Sequence, residues 1–177
     1  MKESLSIRDK IETSNISSTK DSIGFKTKWK IEKYENEMAK ELNMPYEISE
    51  FDGNIALNEG INALWTLVCG GSETPFNNTN AQLGVGSDNT SESATQTDLL
   101  DSTPTWKGMD SGYPQYGSNQ KVVFRSTFGA NEANEAWNEF SVRNGASANK
   151  NLNRKVSAQG TKISGQVWIL TLEISAS

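Results

Sequence analysis

The residues that could do chemistry are few. The chain of 177 residues contains no histidine and a single cysteine, Cys69. Ser-His-Asp and Cys-His nucleophilic pairs and histidine-containing zinc sites therefore cannot be built. One thiol alone makes no cysteine-based metal site and no intrachain disulfide. Because Cys69 lies inside an apolar run, it reads as a buried small hydrophobe. Carboxylates survive this elimination, since a glycosidase needs only two acids at a suitable separation. Glu132, Glu135 and Glu139, or Asp98 and Asp101, could be placed in such roles. In a chain with 22% charged residues such groupings also arise by chance, so surface or structural roles are expected for them. The oxygen-rich stretch from Asp88 to Asp98 lacks the spacing of an EF-hand loop. The glycine-containing strings LGVGSD and CGGSE match neither the dinucleotide fingerprint nor the P-loop. No catalytic residue, metal or cofactor is expected.

The charge balance narrows the partners. With 17 Lys and Arg against 22 Asp and Glu, the net charge is -5, which disfavours a phosphate backbone as ligand. Lys26, Lys28, Lys30 and Lys33 cluster, but Glu32, Glu35 and Glu37 interleave with or follow them, as on a solvated strand face. The longest apolar runs are too short to span a bilayer and the N-terminus has no signal-type apolar region. The expectation is a soluble protein that binds neither nucleic acid nor membrane.

The elements that must position any binding residues read as mainly β (α+β). We expect an antiparallel β-sandwich-like domain over residues 25–177, with one packed amphipathic helix, preceded by an extended N-terminal arm over 1–24. The arm is polar, with isolated Ile7, Ile11, Ile16 and Ile23 as candidate partner-binding residues. Period-two alternation predicts strands over 26–34 and 46–51 around a polar excursion closed by Pro45, with a turn at Asp52-Gly53. Leu57, Ile61, Leu64, Trp65 and Val68 share one face of a helix that stops at Gly70-Gly71, so Trp65 is expected in the core. A strand is predicted over 81–86 and a short helix over 91–100. The segment 105–117 reads as a long surface loop presenting Trp106, Tyr113 and Tyr116, aromatic anchors of an interface. Strands over 121–128, 136–143, 152–156 and 166–174 complete a meander, with a helical turn leading into the second of these.

The segments IALNEGINALWTLVCGGS, FNNTNAQLGVGSDNTSESATQTDL, WKGMDSGYP, FGANEANEAWNEFSVRNG and LNRKVSAQGTKISGQVWILTLEIS, taken in order, resemble a type of small virion protein of tailed bacteriophages. The resemblance spans residues 27–175 and leaves out the arm. It implies a non-enzymatic, head-associated role: a capsid decoration or cement protein, bound to the major capsid protein or other virion subunits as a homo-oligomer or on a lattice. The protein would be made in the bacterial host cytoplasm and end in the virion. Decoration bridges neighbouring subunits, and multivalent attachment to a symmetric lattice multiplies modest affinities. The string WNEFSVRNGASANKNLNRKV is also similar to the strand-turn-strand of phage tail-fibre domains. That similarity implies the alternative of a tail-fibre or baseplate component contacting other tail proteins or host glycans.

Overall fold

The computed structural model describes residues 24–147 and 149–176. Ile7, Ile11, Ile16 and Ile23 lie outside the described residues. Among the described residues, ten strands and two helices run in the order β1 (Phe25–Tyr34), α1 (Glu37–Glu41), β2 (Glu47–Asp52), β3 (Ile55–Ala56), α2 (Asn58–Val68), β4 (Gln82–Gly86), β5 (Thr105–Gly108), β6 (Gln115–Ser118), β7 (Lys121–Phe128), β8 (Glu139–Arg143), β9 (Asn153–Val156) and β10 (Val167–Ala176). They form two five-stranded antiparallel sheets, ordered β2-β1-β10-β7-β6 and β3-β9-β8-β4-β5, in a sandwich-like arrangement.

Alternation explains the layering. On β1, Trp29 and Ile31 point inward with Leu170 and Leu172 of β10 and Phe124 and Phe128 of β7; they meet Leu83, Val85, Phe140 and Val142 of the second sheet in one core. Aromatic rings hold its centre. Trp137 packs edge-on against Phe128 and Trp168, at 4.9 Å in each case, and Phe51 stacks on Trp29. Such pairs contribute about 0.5–1.5 kcal/mol beyond their buried area. Trp137 sits in irregular chain between β7 and β8, where its indole donates to Ala133 O at 3.0 Å. The lysine-rich face of β1 carries ion pairs, Lys28 with Glu50 and Lys30 with Glu32. Lys33 is instead buried, with Nζ donating to Glu47 and to Gln159 O and lying 4.7 Å over the Trp168 ring.

Several expectations are corrected. Helix α2 fully buries Gly60 and Ala63, and of the stripe of large residues only Leu57, at its N-cap, and in part Leu64 reach the core. Trp65 is 63% exposed and Val68 73%. A Cβ on Gly60 would collide with the backbone of Asn151 and Leu152; the absent side chain lets the helix rest directly on that segment, with Ile61, Trp65 and Val68 facing outward. Cys69, at the C-cap, is exposed for the same reason. Residues 91–100 form turns and extended chain rather than a helix, because their polar groups are tied to β8, β9 and one another. Segment 105–117 contains β5 and β6, each paired to a sheet edge. The chain before β8 makes a turn, with Glu132 N–H on Gly129 O, and no helix. The polar excursion 35–45 holds α1, capped by Asn36 accepting from Ala39 N–H.

Candidate partner-binding surface

The second sheet is braced by a polar network that includes two of the acidic residues considered as catalysts, Glu139 and Asp101. Arg154 and Glu139 are both fully buried and paired at 2.7 Å. Arg154 also donates to Thr90 O and Gln96, and lies 3.3 Å from Asp88. Glu139 accepts from the backbone N–H groups of Leu100 and Asp101. Asp101 accepts from the hydroxyl and N–H of Ser87, and these bonds hold its carboxyl below the usual range. Together they bind the loop 87–101 onto β8 and β9.

Burial pushes the Glu132 carboxyl up, but the Lys107 ammonium and the Gly129 N–H outweigh this and leave it below its ordinary value. Burial raises Glu135, with the charges of Asp101 and Glu139 adding to the effect and the Thr105 hydroxyl opposing it. Glu135 accepts from the Thr105 hydroxyl, and its neighbours Asp101 and Glu139 are engaged as described. Buried Lys162 donates from Nζ to Gly129 O, Glu132 O and Asn134 Oδ1 at 2.7–2.9 Å. Burial lowers its pKa to about 8, opposed by Glu132. No group of three or more acidic or cysteine side chains among the described residues could hold a metal. No helix among them is long and apolar enough to cross a membrane.

The most distinctive surface is apolar and lies where the sandwich is open. Phe25, Ile174 and Val122 occupy inward-facing positions near the ends of three neighbouring strands, β1, β10 and β7. Here they line open cavities rather than a closed core. Helix α2 forms one wall through Ile61, Leu64 and Trp65, with Leu152 between, and encloses a cavity of about 180 Å³. A second cavity of about 440 Å³ continues past Phe76 to Tyr116 and shares Phe25, Leu64, Leu152 and Ile174 with the first. Phe25 is 67% exposed and Tyr116 75%. Large rings gathered on one rim, rather than scattered singly, are what partner-binding surfaces display. Sequence periodicity identified the α2 stripe but assigned it to the core. The signal that could have corrected this is Gly60, a helix-weakening residue whose placement inside α2 points to close backbone approach.

The three aromatic residues expected to act together are placed apart. Trp106 of β5 lies flat over Gly84, with Arg143 Cζ 4.0 Å from the ring centroid on the same side of the sheet. Tyr113 and Tyr116 remain neighbours and share a concavity with Asn77, Asn78, Thr79 and Pro114. Their loop is well anchored. Asp110 accepts from the N–H and hydroxyl of Thr127, Arg125 lies 5.6 Å from the Tyr113 ring, and Asn78 Nδ2 donates to Asp110 O and Tyr113 O. The Tyr113-Pro114 bond is cis. The hydrogen bonds of Asn78 and Asp110 anchor the chain beside Tyr116, which lies at the junction of the groove and this concavity. No family model, curated protein or solved structure matches the chain.

Proposed function

We propose that this chain is an adhesive, non-catalytic virion subunit: a capsid decoration or cement protein of a tailed bacteriophage, bound to the major capsid protein or a neighbouring virion subunit. The observation that supports an adhesive role is the apolar rim of Phe25, Ile61, Trp65 and Tyr116 around the open end of the sandwich. The bacteriophage assignment rests on the resemblance of residues 27–175 set out above. Rigid aromatic side chains on an anchored loop lose little entropy on binding, and a lattice of repeated contacts converts weak single contacts into stable attachment.

The tail-fibre or baseplate alternative would draw on the concavity beside Tyr113 and Tyr116 for a glycan. Its amides are largely committed already: Asn78 Nδ2 to two carbonyl groups, and Asn77 Oδ1 to the N–H groups of Thr79 and Asn80. That favours protein over sugar as the partner. The test is to add purified protein to particles lacking it and count bound copies. Hundreds per particle are expected, and Tyr113→Ser/Tyr116→Ser should lower occupancy while leaving the urea midpoint nearly unchanged. A dozen or fewer copies would place the protein at the neck or tail, and equal losses of occupancy and stability would show that the loop serves only its own fold.

A further inference from the structure

The open groove needs an occupant, and the chain itself carries a suitable one. The groove is almost purely apolar; Thr27, Asn54 and Asn153 are the polar residues that line its smaller cavity. Leaving such a surface wet forgoes about 25 cal/mol per Å² of apolar area. Its smaller cavity, about 180 Å³, exceeds the roughly 150 Å³ that accommodates a benzene-sized group. The 23 residues that precede Gly24 lie outside the described residues and join the fold beside Phe25, itself a wall of both cavities. They are polar except for Met1, Leu5, Ile7, Ile11, Ile16 and Ile23, and a polar spacer, Ser17 to Ser22, separates Ile16 from the attachment point.

We propose that the groove is the docking site of this chain's own N-terminal segment, with Ile11 and Ile16 as the side chains that fill it. The proposal goes beyond the adhesive role and stands without the virion reading. Length permits it: the nine residue-to-residue steps from Ile16 to Phe25 reach about 30 Å at ~3.3 Å per step, enough to double back into a groove that starts at Phe25. Mass action favours it. A short linker holds a tethered segment at an effective concentration on the order of 1 mM, so even a Kd of about 0.1 mM gives an occupancy near nine tenths. A second copy in dilute solution has no such advantage. Exchange of the same segment onto a neighbour would reuse the pairing in an assembly, at little cost, as in domain swapping.

Iodide quenching of tryptophan fluorescence tests this on the full chain. Trp29, Trp137 and Trp168 are buried and Trp106 is sandwiched, so Trp65 should dominate the quenchable emission; a Trp65→Phe variant defines its share. Trp65 is expected to be shielded in the parent protein at every protein concentration. Ile11→Asp/Ile16→Asp, and separately Ile61→Asp on the groove wall, should raise its quenching several-fold with unchanged circular dichroism, whereas Ile16→Val should preserve shielding. Equal quenching in the parent and in Ile11→Asp/Ile16→Asp would overturn the proposal. So would shielding that vanishes on dilution as a dimer dissociates, which would make a second copy the occupant. The same surface supports the adhesive reading, but particle binding is read separately by the copy count above, so failure of the docking proposal and failure of the virion reading are distinguishable.

Discussion

Replacing Arg154 by Met tests whether the buried ion pair holds the loop 87–101. Both partners are fully buried, and Glu139 also accepts from Leu100 and Asp101 N–H. Arg154→Met leaves that carboxylate without its counter-charge and removes the donors to Thr90 O and Gln96. Breaking a buried pair from one side costs about 3–5 kcal/mol, most of it from the stranded charge. For a domain of this size that corresponds to a fall in Tm of roughly 6–20 °C. The assay is urea denaturation followed by tryptophan fluorescence, with limited proteolysis of the folded protein reporting on the loop. Cleavage within 87–101 should appear in Arg154→Met under conditions where the parent resists. The double variant Glu139→Gln/Arg154→Met should be less destabilised than Arg154→Met alone, because no unpaired carboxylate remains and the glutamine oxygen still accepts from the loop backbone. A loss below ~1 kcal/mol, or a large loss with the loop still resistant, would refute this account.

Trp65→Ala should cost less than ~1.5 kcal/mol, since the folded domain leaves the ring largely exposed and only docking of the N-terminal segment can be lost; the roughly 3–5 kcal/mol of a core tryptophan in urea titrations would return it to the interior. Gly84→Ala places a Cβ about 2.5 Å from the Trp106 ring, so Trp106 must leave its seat under Arg143. A cost of about 1–3 kcal/mol and altered Trp106 emission are expected, and a neutral result would show that the ring yields freely. Lys162 gives a pH test. Its folded pKa of about 8 lies below the ordinary 10.5, so between these values the unfolded chain binds more protons and the residue's contribution to stability rises with pH. Relative to Lys162→Met, the parent should therefore gain stability between pH 8 and 10.5. The raised Tyr34 and Tyr46 values are common to both proteins and cancel in the difference. A flat difference would mean that the three carbonyl acceptors, rather than burial, control the ammonium.

Much of the sandwich was legible because its central strands alternate cleanly. The 26–34 and 46–51 predictions match β1 and β2 to within a residue, and 121–128 matches β7. Glycine punctuation was equally readable: Gly53 and Gly70 adopt the positive φ that the predicted turn and helix stop require. What periodicity could not convey was order imposed from a distance. Loop 87–101 has the composition of an exposed linker, yet it is held by Arg154 and Glu139, which lie well downstream and look from local sequence like ordinary surface charges. Strands β3, β5 and β6 have two to four residues each, too few to display a period, and they exist because a longer partner strand offers a free edge.

The mistaken reading of α2 bears most directly on function. The stripe of Leu57, Ile61, Leu64, Trp65 and Val68 has helical spacing, and a helix does form there. Spacing specifies which residues share a face, but not which face the protein buries. That choice fell to Gly60 and Ala63, whose small size gives closer backbone contact than the large side chains could. Three of the large residues, Ile61, Trp65 and Val68, were consequently left exposed, beside strand ends that are inward-facing yet open. Exposed apolar residues at random positions would be ordinary. Ile61 and Trp65, turned away from the core and lining one cavity with Phe25 where the N-terminal segment joins, have the composition of an interface; its occupant therefore bears on both the proposed self-docking and adhesion to a partner.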